Sequence, residues 1–426
     1  MKNEQKITGL GPLPDGGRVV IIGGGPGGAA AAIALKEGAR SMGKNTKVTI
    51  VEGKQFAGEQ HHNLCAGVLS PPIAELIERD LRVPFPRHLS QRSISGYILH
   101  SDQEEIVLDG EGQTSTALRR IQFDAYMLEA ALQRGAELCL ARATDLEFHA
   151  NRVVIYTENV PLEADVVIGA FGMDEGTAEL FRRAVGYRPP PALSSVVTKY
   201  HPGEAAMAQF GDRIHAFLPR GMHIEFGGIT PKGNHLTINI AGESVDTDSM
   251  NAFLASPDVQ RALPRAGSTD QATFENSSYF KGRFPCGLAR HYTGDRFVIL
   301  GDAAGLVRAF KGKGVTSAIQ TGIRAAEVIL RHGISEWAFG EYHAANLDIT
   351  RDLPFGKAMR HLTVWASRMG LMGVIIRAAQ HDSGLSMALF DAVSAHQAYS
   401  RVVRDSISIN AMRALLASLA APRRGL

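Results

Sequence analysis

The chain has 426 residues, 45% of them hydrophobic, and its 45 basic and 43 acidic residues give a formal net charge of +2. This length predicts two or more domains with substantial cores, and the balanced charge argues against a nucleic-acid partner. Only three scattered cysteines are present (Cys65, Cys139 and Cys286), which excludes a disulfide framework and favours a reducing compartment. No signal-peptide pattern and no apolar run of about 18 residues is found. We therefore expect a cytoplasmic protein that can also lie peripherally on a membrane.

Residues 18–35 predict a strand, a glycine-rich turn and a helix in direct succession. Residues 19–22 are apolar and β-branched, as in a buried parallel strand, and helix formers follow from Ala29. Gly23, Gly25 and Gly28 fill the three glycine positions of G-x-G-x-x-G. Free N–H groups and the positive dipole end at such a helix start bind phosphate.

A second predicted strand, over residues 47–51, ends in Glu52, 29 residues after Gly23. A carboxylate at this place can accept hydrogen bonds from both ribose hydroxyls of an adenine nucleotide. The pattern predicts a dinucleotide site made of Gly23, Gly25, Pro26, Gly27, Gly28, Glu52 and Gly53. The alternative is a strand–helix turn that binds no ligand.

The rest of the chain divides by its patterns into α/β and antiparallel parts. Helical periodicity covers residues 117–135, and strands are predicted over 136–140, 152–156 and 163–170. After three prolines at 189–191, short alternating segments such as 223–226 and 235–240 indicate an antiparallel sheet. A strand at 296–300 then precedes Gly301-Asp302, a helix at 315–331 and a mostly helical remainder.

The predicted fold class is α/β, with a Rossmann-like nucleotide-binding domain, an inserted antiparallel-sheet substrate domain and a helical C-terminal region. The predicted boundaries are residues 15–190 and 283–345 for the discontinuous first domain, 191–282 for the second and 346–426 for the helical region. His61 and Cys65 share helical spacing, but no second pair of ligands accompanies them, so no metal site is predicted.

Three motifs in this order resemble the flavoprotein fold of the para-hydroxybenzoate hydroxylase and geranylgeranyl reductase group. They are the glycine turn with Glu52, Arg120 in the run Arg-Ile-Gln-Phe-Asp that opens a helix, and Gly301-Asp302 after a strand. In that group the aspartate hydrogen-bonds the sugar-like chain of FAD, and glycines further on approach the flavin through their N–H groups. The alternative for Asp302 is a helix N-cap.

Within the group the chain is most similar to the geranylgeranyl reductase family. Residues 65–70, Cys-Ala-Gly-Val-Leu-Ser, resemble its Cys-Gly-Gly stretch beside the flavin, and residues 186–190 resemble it more loosely. The resemblance implies FAD as the cofactor. Together with the dinucleotide residues above, the predicted contacts are Cys65, Ala66, Arg120, Ala143, Gly301, Asp302, Gly312, Lys313, Gly314 and Val315.

Several departures separate the chain from its relatives. Phe171-Gly172 stands where many hydroxylases of the group have Asp-Gly, and this difference argues against a monooxygenase. The reductases line the substrate tunnel with an aromatic and Phe-Pro motif, whose nearest match is residues 226–233, with Gly228 in place of the central Trp. Lys313 replaces the family's Glu, either to stabilise an anionic reduced flavin or as a solvated loop charge.

The resemblance implies an FAD-dependent oxidoreductase that reduces a carbon–carbon double bond of an apolar, isoprenoid-like substrate. Cys65, with His62 next, is the candidate proton donor, and the alternative for Cys65 is a small buried residue beside the cofactor. Cys286 can also lie near the flavin ring and ranks below Cys65. The electron donor is NAD(P)H, ferredoxin or another flavoprotein. A flavin monooxygenase or halogenase, a quinone-linked dehydrogenase and a non-catalytic prenyl carrier are the alternatives. The arginine-dotted C-terminal helices either pack in the core or contact a membrane surface.

Overall fold

A computed structural model describes the chain over residues 9–56, 65–101, 104–109, 112, 114–264, 278–308, 314–395, 397–406, 413 and 418. The strands in these ranges are β1 (Arg18–Ile22), β2 (Lys47–Val51), β3 (Val68–Leu69), β4 (Ser90–Ile94), β5 (Gly96–Ser101), β6 (Glu104–Asp109), β7 (Ser115–Leu118), β8 (Glu137–Cys139), β9 (Ala143–Phe148), β10 (Val153–Thr157), β11 (Leu162–Ala164), β12 (Val166–Gly169), β13 (Ala192–Tyr200), β14 (Arg213–Phe217), β15 (Phe226–Lys232), β16 (His235–Gly242), β17 (Phe280–Pro285), β18 (Thr293–Gly294) and β19 (Phe297–Ile299).

The α-helices in the same ranges are α1 (Pro26–Ser41), α2 (Ile73–Glu75), α3 (Arg120–Gln133), α4 (Glu175–Val185), α5 (Glu204–Phe210), α6 (Thr247–Ala255), α7 (Pro257–Ala262), α8 (Gly301–Ala304), α9 (Gly314–Arg331), α10 (Phe339–Ala345), α11 (Leu347–Thr350), α12 (Leu353–Arg368), α13 (Met372–His381), α14 (Ser383–Ser394) and α15 (Tyr399–Ser406). A π-helical turn (Leu76–Asp80) follows α2, and a 3₁₀ turn (Arg87–Leu89) precedes β4.

A six-stranded sheet in the order β18-β19-β12-β1-β2-β8 forms the half of the molecule that is predicted to bind a nucleotide, called the nucleotide-binding half below. Its pairs are parallel except β18–β19. Four of the five side chains of β1 are buried, as expected for a strand covered on both faces. Ile22 pairs with both Val51 and Gly169, and Gly169 pairs with Ile299, so the carboxyl ends of four strands meet at one edge. Ligands of open α/β sheets bind in the crevice outside that edge.

Helices α1 and α9 cross very closely on this sheet. A Cβ atom added at Gly322 would lie 2.4 Å from the carbonyl oxygen of Gly27, so only a glycine allows this approach. The helix predicted over 315–331 is thus present as α9, and it lies directly against the glycine turn of residues 23–28.

A seven-stranded sheet in the order β17-β13-β16-β15-β14-β5-β6 forms the second half. Its pairs are antiparallel except β14–β5, which is parallel. The sheet takes β5 and β6 from residues 96–109, ahead of the antiparallel region that the sequence indicates. Helices α13 and α14 cover one part of it through an apolar cluster that includes Leu99, Ile376 and Phe390, whereas α6 packs Phe253 into a separate cluster. The division into domains stays a prediction.

Within the described ranges, no single helix is both long and apolar enough to cross a membrane. Two helical stretches, Leu347–Arg368 and Met372–His381, pass a test of length and composition together, but they meet at an angle of 106°.

Candidate functional site

The glycine turn between β1 and α1 is closed on one side and open on the other. A Cβ at Gly28 would lie 1.9 Å from the carbonyl oxygen of Gly23, and Gly23 itself has a φ of +113°. A Cβ at Gly25, in contrast, would meet no atom within 4 Å. Gly25 is the N-cap of α1, whose first turn has no side-chain cap and no acidic residue. The space beside Gly25 at the start of α1, where a helix has unpaired N–H groups, is therefore open, as phosphate binding requires.

Glu52 lies beside this turn at the end of β2. Its Oε2 accepts a hydrogen bond from the backbone N–H of Gly24 at 2.8 Å, and its Oε1 accepts one from the N–H of Lys54 at 2.8 Å. Gly53 packs against the side chain of Arg142, which directly precedes Ala143 at the start of β9. The structure thus brings these predicted residues to one side of the glycine turn, and their contact with a nucleotide stays a prediction.

Asp302 lies in the short helix α8, which begins directly after β19 and Leu300. The helix N-cap is Leu300, and the Asp302 side chain makes no cap hydrogen bond, so the N-cap alternative is wrong. Oδ1 of Asp302 is buried and has no hydrogen-bond partner. Burial raises the pKa of this carboxyl, and the Arg120 guanidinium opposes the shift. A buried, unpartnered acceptor is costly, which fits a hydroxyl donor supplied by a ligand such as FAD.

The backbone around Asp302 is held from two sides. The buried Tyr187 hydroxyl donates a hydrogen bond to the carbonyl of Ala303 at 2.6 Å, and the N–H of Gly301 donates to Oγ1 of Thr321 at 3.1 Å. Sequence reasoning noted Tyr187 only within a loose family likeness and missed Thr321 altogether. Both side chains position the Gly-Asp turn. The sequence around Tyr187 does not indicate this role, because its partner Ala303 is more than one hundred residues away.

Arg120 connects the Asp302 region with the Cys65 segment. It is the first residue of α3, as predicted, and it forms an ion pair with Asp124 at 3.1 Å. Its Nη1 lies 4.0 Å from Sγ of Cys65. Cys65 is exposed, so the alternative of a small buried residue does not describe this structure, and its Sγ accepts a hydrogen bond from the N–H of Gly67 at 3.3 Å.

The structure describes some of the remaining predicted residues but not all of them. Gly314 begins α9, and a Cβ there would lie 3.2 Å from Oδ1 of Asp302, whereas Val315 packs against the core. His62, Gly312 and Lys313 lie outside the described residues. Cys286 is buried, and its N–H donates to the carbonyl of Pro191 at 2.8 Å.

Lys232 is the charged residue of this region whose importance the sequence did not reveal. It ends β15, is only 4% exposed, and lies against the segment that follows Cys65. Burial lowers its pKa to about 8; Cys65 opposes that shift, and neighbouring cations add to it. The sequence marked it only as part of residues 226–233, because a lysine at a strand end is usually solvated.

Known proteins resemble the chain in sequence and in fold. No protein-family model matches the chain. A digeranylgeranylglycerophospholipid reductase of Methanothrix thermoacetophila is 27% identical over 338 residues, which cover 73% of this chain and 77% of that protein.

Solved structures share the fold. A geranylgeranyl bacteriochlorophyll reductase-like protein of Thermoplasma acidophilum aligns with a TM-score of 0.62 at 18% identity, over 95% of this chain and 96% of the other. A flavoprotein/dehydrogenase of Cytophaga hutchinsonii aligns with a TM-score of 0.67 at 17% identity, over 94% and 98%. The halogenase PltM, in a mutant solved with FAD, aligns with a TM-score of 0.64 at 14% identity, over 93% and 87%.

Proposed function

We propose that the chain, an FAD-dependent oxidoreductase similar to the geranylgeranyl reductase family, reduces a carbon–carbon double bond in an apolar, isoprenoid-like substrate. The recognition of that family, the enzyme class and the FAD cofactor were predicted from the sequence, and the comparisons confirm them. The double bond, the substrate and the roles of individual residues are the proposal.

The observation that supports the proposal most is the connection between Asp302 and Cys65. Oδ1 of Asp302 is buried and has no hydrogen-bond partner, and the Arg120 charge lowers the pKa of this carboxyl against the effect of burial. Nη1 of Arg120 lies 4.0 Å from the Cys65 sulfur. A cofactor that bound at the open turn of α1 and donated a hydrogen bond to Asp302 would therefore lie next to the exposed Cys65 thiol. FAD, when bound and reduced, supplies a hydride for such chemistry.

The chain's own residues would then divide the remaining tasks. The N–H groups at the start of α1 bind the pyrophosphate, and the Asp302 carboxylate accepts from a hydroxyl of the cofactor. Addition of a hydride to one carbon of a double bond leaves the other carbon in need of a proton. The Cys65 thiol is the candidate that holds this proton.

The rival chemistries find less support in the side chains. Phe171, at the place of the hydroxylases' Asp, packs its ring 5.3 Å from that of Phe181 and 5.9 Å from that of Tyr187, as a core aromatic does. The two tryptophans, Trp337 and Trp365, are 85% and 53% exposed, so neither belongs to an enclosed halogenase-like motif.

The test is the anaerobic reoxidation of the photoreduced, FAD-loaded protein by a panel of prenyl lipids, quinones and aromatic acids. We expect prenyl lipids to reoxidise the flavin and to gain two hydrogens, as mass spectrometry would show. Cys65→Ser should slow this step by about tenfold or more while FAD binding is kept, and Cys286→Ser is the matched control. Reoxidation by oxygen alone, or by quinones without alkene reduction, would contradict the proposal.

We also propose that α12 contacts a lipid surface from which such a substrate is taken. Phe355, Leu362, Trp365 and Met369 are 43%, 60%, 53% and 58% exposed, and their spacing places them along one side of the helix. An apolar stripe of this kind typically marks an interface. Flotation with anionic vesicles tests it: a Leu362→Gln/Trp365→Gln variant should lose binding, whereas Val160→Gln, which changes an exposed apolar residue elsewhere, should not. Equal binding of both variants would refute the contact.

A further inference from the structure

We propose that a cluster of cations beside Cys65 binds the oxyanion head group, phosphate or carboxylate, of an otherwise apolar substrate. The basic cluster consists of Arg119, Lys199 and Lys232, with His201 and His235 next to them. The inference rests on the proposed function, because it concerns the substrate of the same site.

The central observation is that the Lys232 ammonium has no partner within the part of the chain that the structure describes. Lys232 is only 4% exposed as a whole residue, and no hydrogen bond or ion pair joins its ammonium to another residue that the structure describes. Burying an ammonium group without a counter-charge is costly in free energy, so such a group usually has a compensating interaction in the functional state of a protein. A ligand that carries negative charge would do so.

The position of Lys232 directs that ligand to the Cys65 segment. Its Nζ lies 2.7 Å from the place that a Cβ on Gly67 would occupy, so a side chain there would displace the ammonium. The N–H of Gly67 is in turn hydrogen-bonded to Sγ of Cys65. An anion held by Lys232 is therefore adjacent to the predicted proton donor.

Three of the charged side chains that act on Lys232 are cations, and Cys65 acts in the opposite direction. Lys199 on β13, and Arg119 and Arg120 at the start of α3, all disfavour its charged form. The first turn of α3 contains no acidic residue and has no side-chain cap, so its dipole adds to the positive potential. Asp124, the acid in the second turn of α3, is already paired with Arg120.

The basic cluster also offers a path from solvent. Lys232 is buried, Lys199 is half-buried, and Arg119 and His201 are exposed, so positive charge continues from the surface inward. His235 pairs with Lys232 across the β15–β16 turn, and burial, followed by the Lys232 charge, lowers its pKa to about 3. It is therefore neutral at pH 7 and can hydrogen-bond an oxyanion without adding charge.

The experiment compares ligands that differ only in the head group. Binding of geranylgeranyl monophosphate, geranylgeraniol and inorganic phosphate to the oxidised, FAD-loaded protein is measured by calorimetry at low and high salt. The monophosphate should bind at least tenfold more tightly than the alcohol, and high salt should reduce that ratio. Lys232→Met should abolish the preference and raise the melting temperature, since it removes an unpaired buried charge. Lys281→Met, which changes an exposed lysine on β17 of the same sheet, should alter neither quantity.

Equal affinity for monophosphate and alcohol in the unchanged protein would overturn the inference. A Lys232→Met variant that keeps the preference for the monophosphate would also overturn it. So would a variant that keeps this preference but loses NADPH binding, because the basic cluster would then bind the electron donor. The proposed function fails separately, if no prenyl lipid reoxidises the reduced flavin, since head-group preference is measured without turnover.

Discussion

Replacing Gly25 or Gly28 by alanine should separate cofactor binding from folding within one turn. At Gly25 the backbone has φ −66° and ψ −178°, which alanine adopts readily, and the new methyl group meets no protein atom within 4 Å. Gly25→Ala should leave the cofactor-free protein unchanged or more stable, by about 0.4–1 kcal/mol, through the smaller entropy of the unfolded chain. The same methyl group projects into the space where the pyrophosphate is expected. Loss of one or two charged hydrogen bonds there, worth about 1.5–3 kcal/mol each, predicts FAD binding weaker by about tenfold to more than a hundredfold.

Gly28→Ala should damage the fold itself. Its methyl group would lie 1.9 Å from the Gly23 carbonyl oxygen, about 1.3 Å inside van der Waals contact, and neither atom can move without a shift of the backbone. Overpacking of this kind costs about 1–3 kcal/mol or more, so the cofactor-free protein should melt at a lower temperature. Differential scanning fluorimetry of the cofactor-free variants and fluorescence titration with FAD measure the two effects. If Gly25→Ala binds FAD as tightly as the unchanged protein, the open side of the turn is not the pyrophosphate site.

Three further predictions concern buried ionisable side chains. Arg360→Met should lower the free energy of unfolding by about 3–5 kcal/mol, because it leaves the buried Glu225 carboxylate, now 2.8 Å from the guanidinium, without a partner. Burial lowers the pKa values of His100 and His215 to about 4 and 3, below their unfolded value of about 6.5. Stability should therefore be complete above pH 6.5 and fall toward pH 4, by up to about 2 kcal/mol per histidine at pH 5. Asp302→Asn should weaken FAD binding by about tenfold without destabilising the cofactor-free protein, since it removes a buried charge.

Each of these predictions has its own control. Arg360→Met combined with Glu225→Met should recover much of the lost stability in a denaturant titration, and failure to do so would assign the loss to packing. His215→Phe should flatten the pH dependence of the unfolding midpoint between pH 6.5 and 4, and an unchanged slope would remove the histidines as its cause. For Asp302→Asn, a fall in the melting temperature of the cofactor-free protein would show that the carboxylate stabilises the fold.

The elements of the nucleotide-binding half were predictable because their signals are local. Helix α9 was expected over 315–331 and extends from Gly314 to Arg331, and the strand predicted at 296–300 is β19. The helix expected from residue 117 begins at Arg120, because Ser115–Leu118 pairs with β3 and β4 as a strand instead. That pairing depends on segments about 25 to 50 residues away, which periodicity within one window does not show.

The second sheet and the surroundings of Cys65 were less predictable for the same reason. β5 joins the sheet by parallel pairing of Gly96 with Arg213, across more than one hundred residues. The alternating pattern predicts a strand over residues 223–226, whereas β15 begins only at Phe226. Lys232 was the least predictable residue of the site, since nothing in its local sequence distinguishes a buried ammonium from a solvated one. The chemistry-bearing residue types could be read from the sequence, but their burial and charge environment follow from the tertiary fold.

The contact between Gly27 and Gly322 also constrains the order in which the protein can be made. The two residues are separated by about 300 positions, yet they form the tightest part of the α1–α9 crossing. At a synthesis rate of about 5–20 residues per second, α1 waits roughly 15–60 seconds for its packing partner. During that interval the apolar face of α1 and the edge of β12 that later pairs with β19 are uncovered. The α1–α9 crossing can therefore form only after about three quarters of the chain has been translated, and the nucleotide-binding half cannot complete its packing before that point.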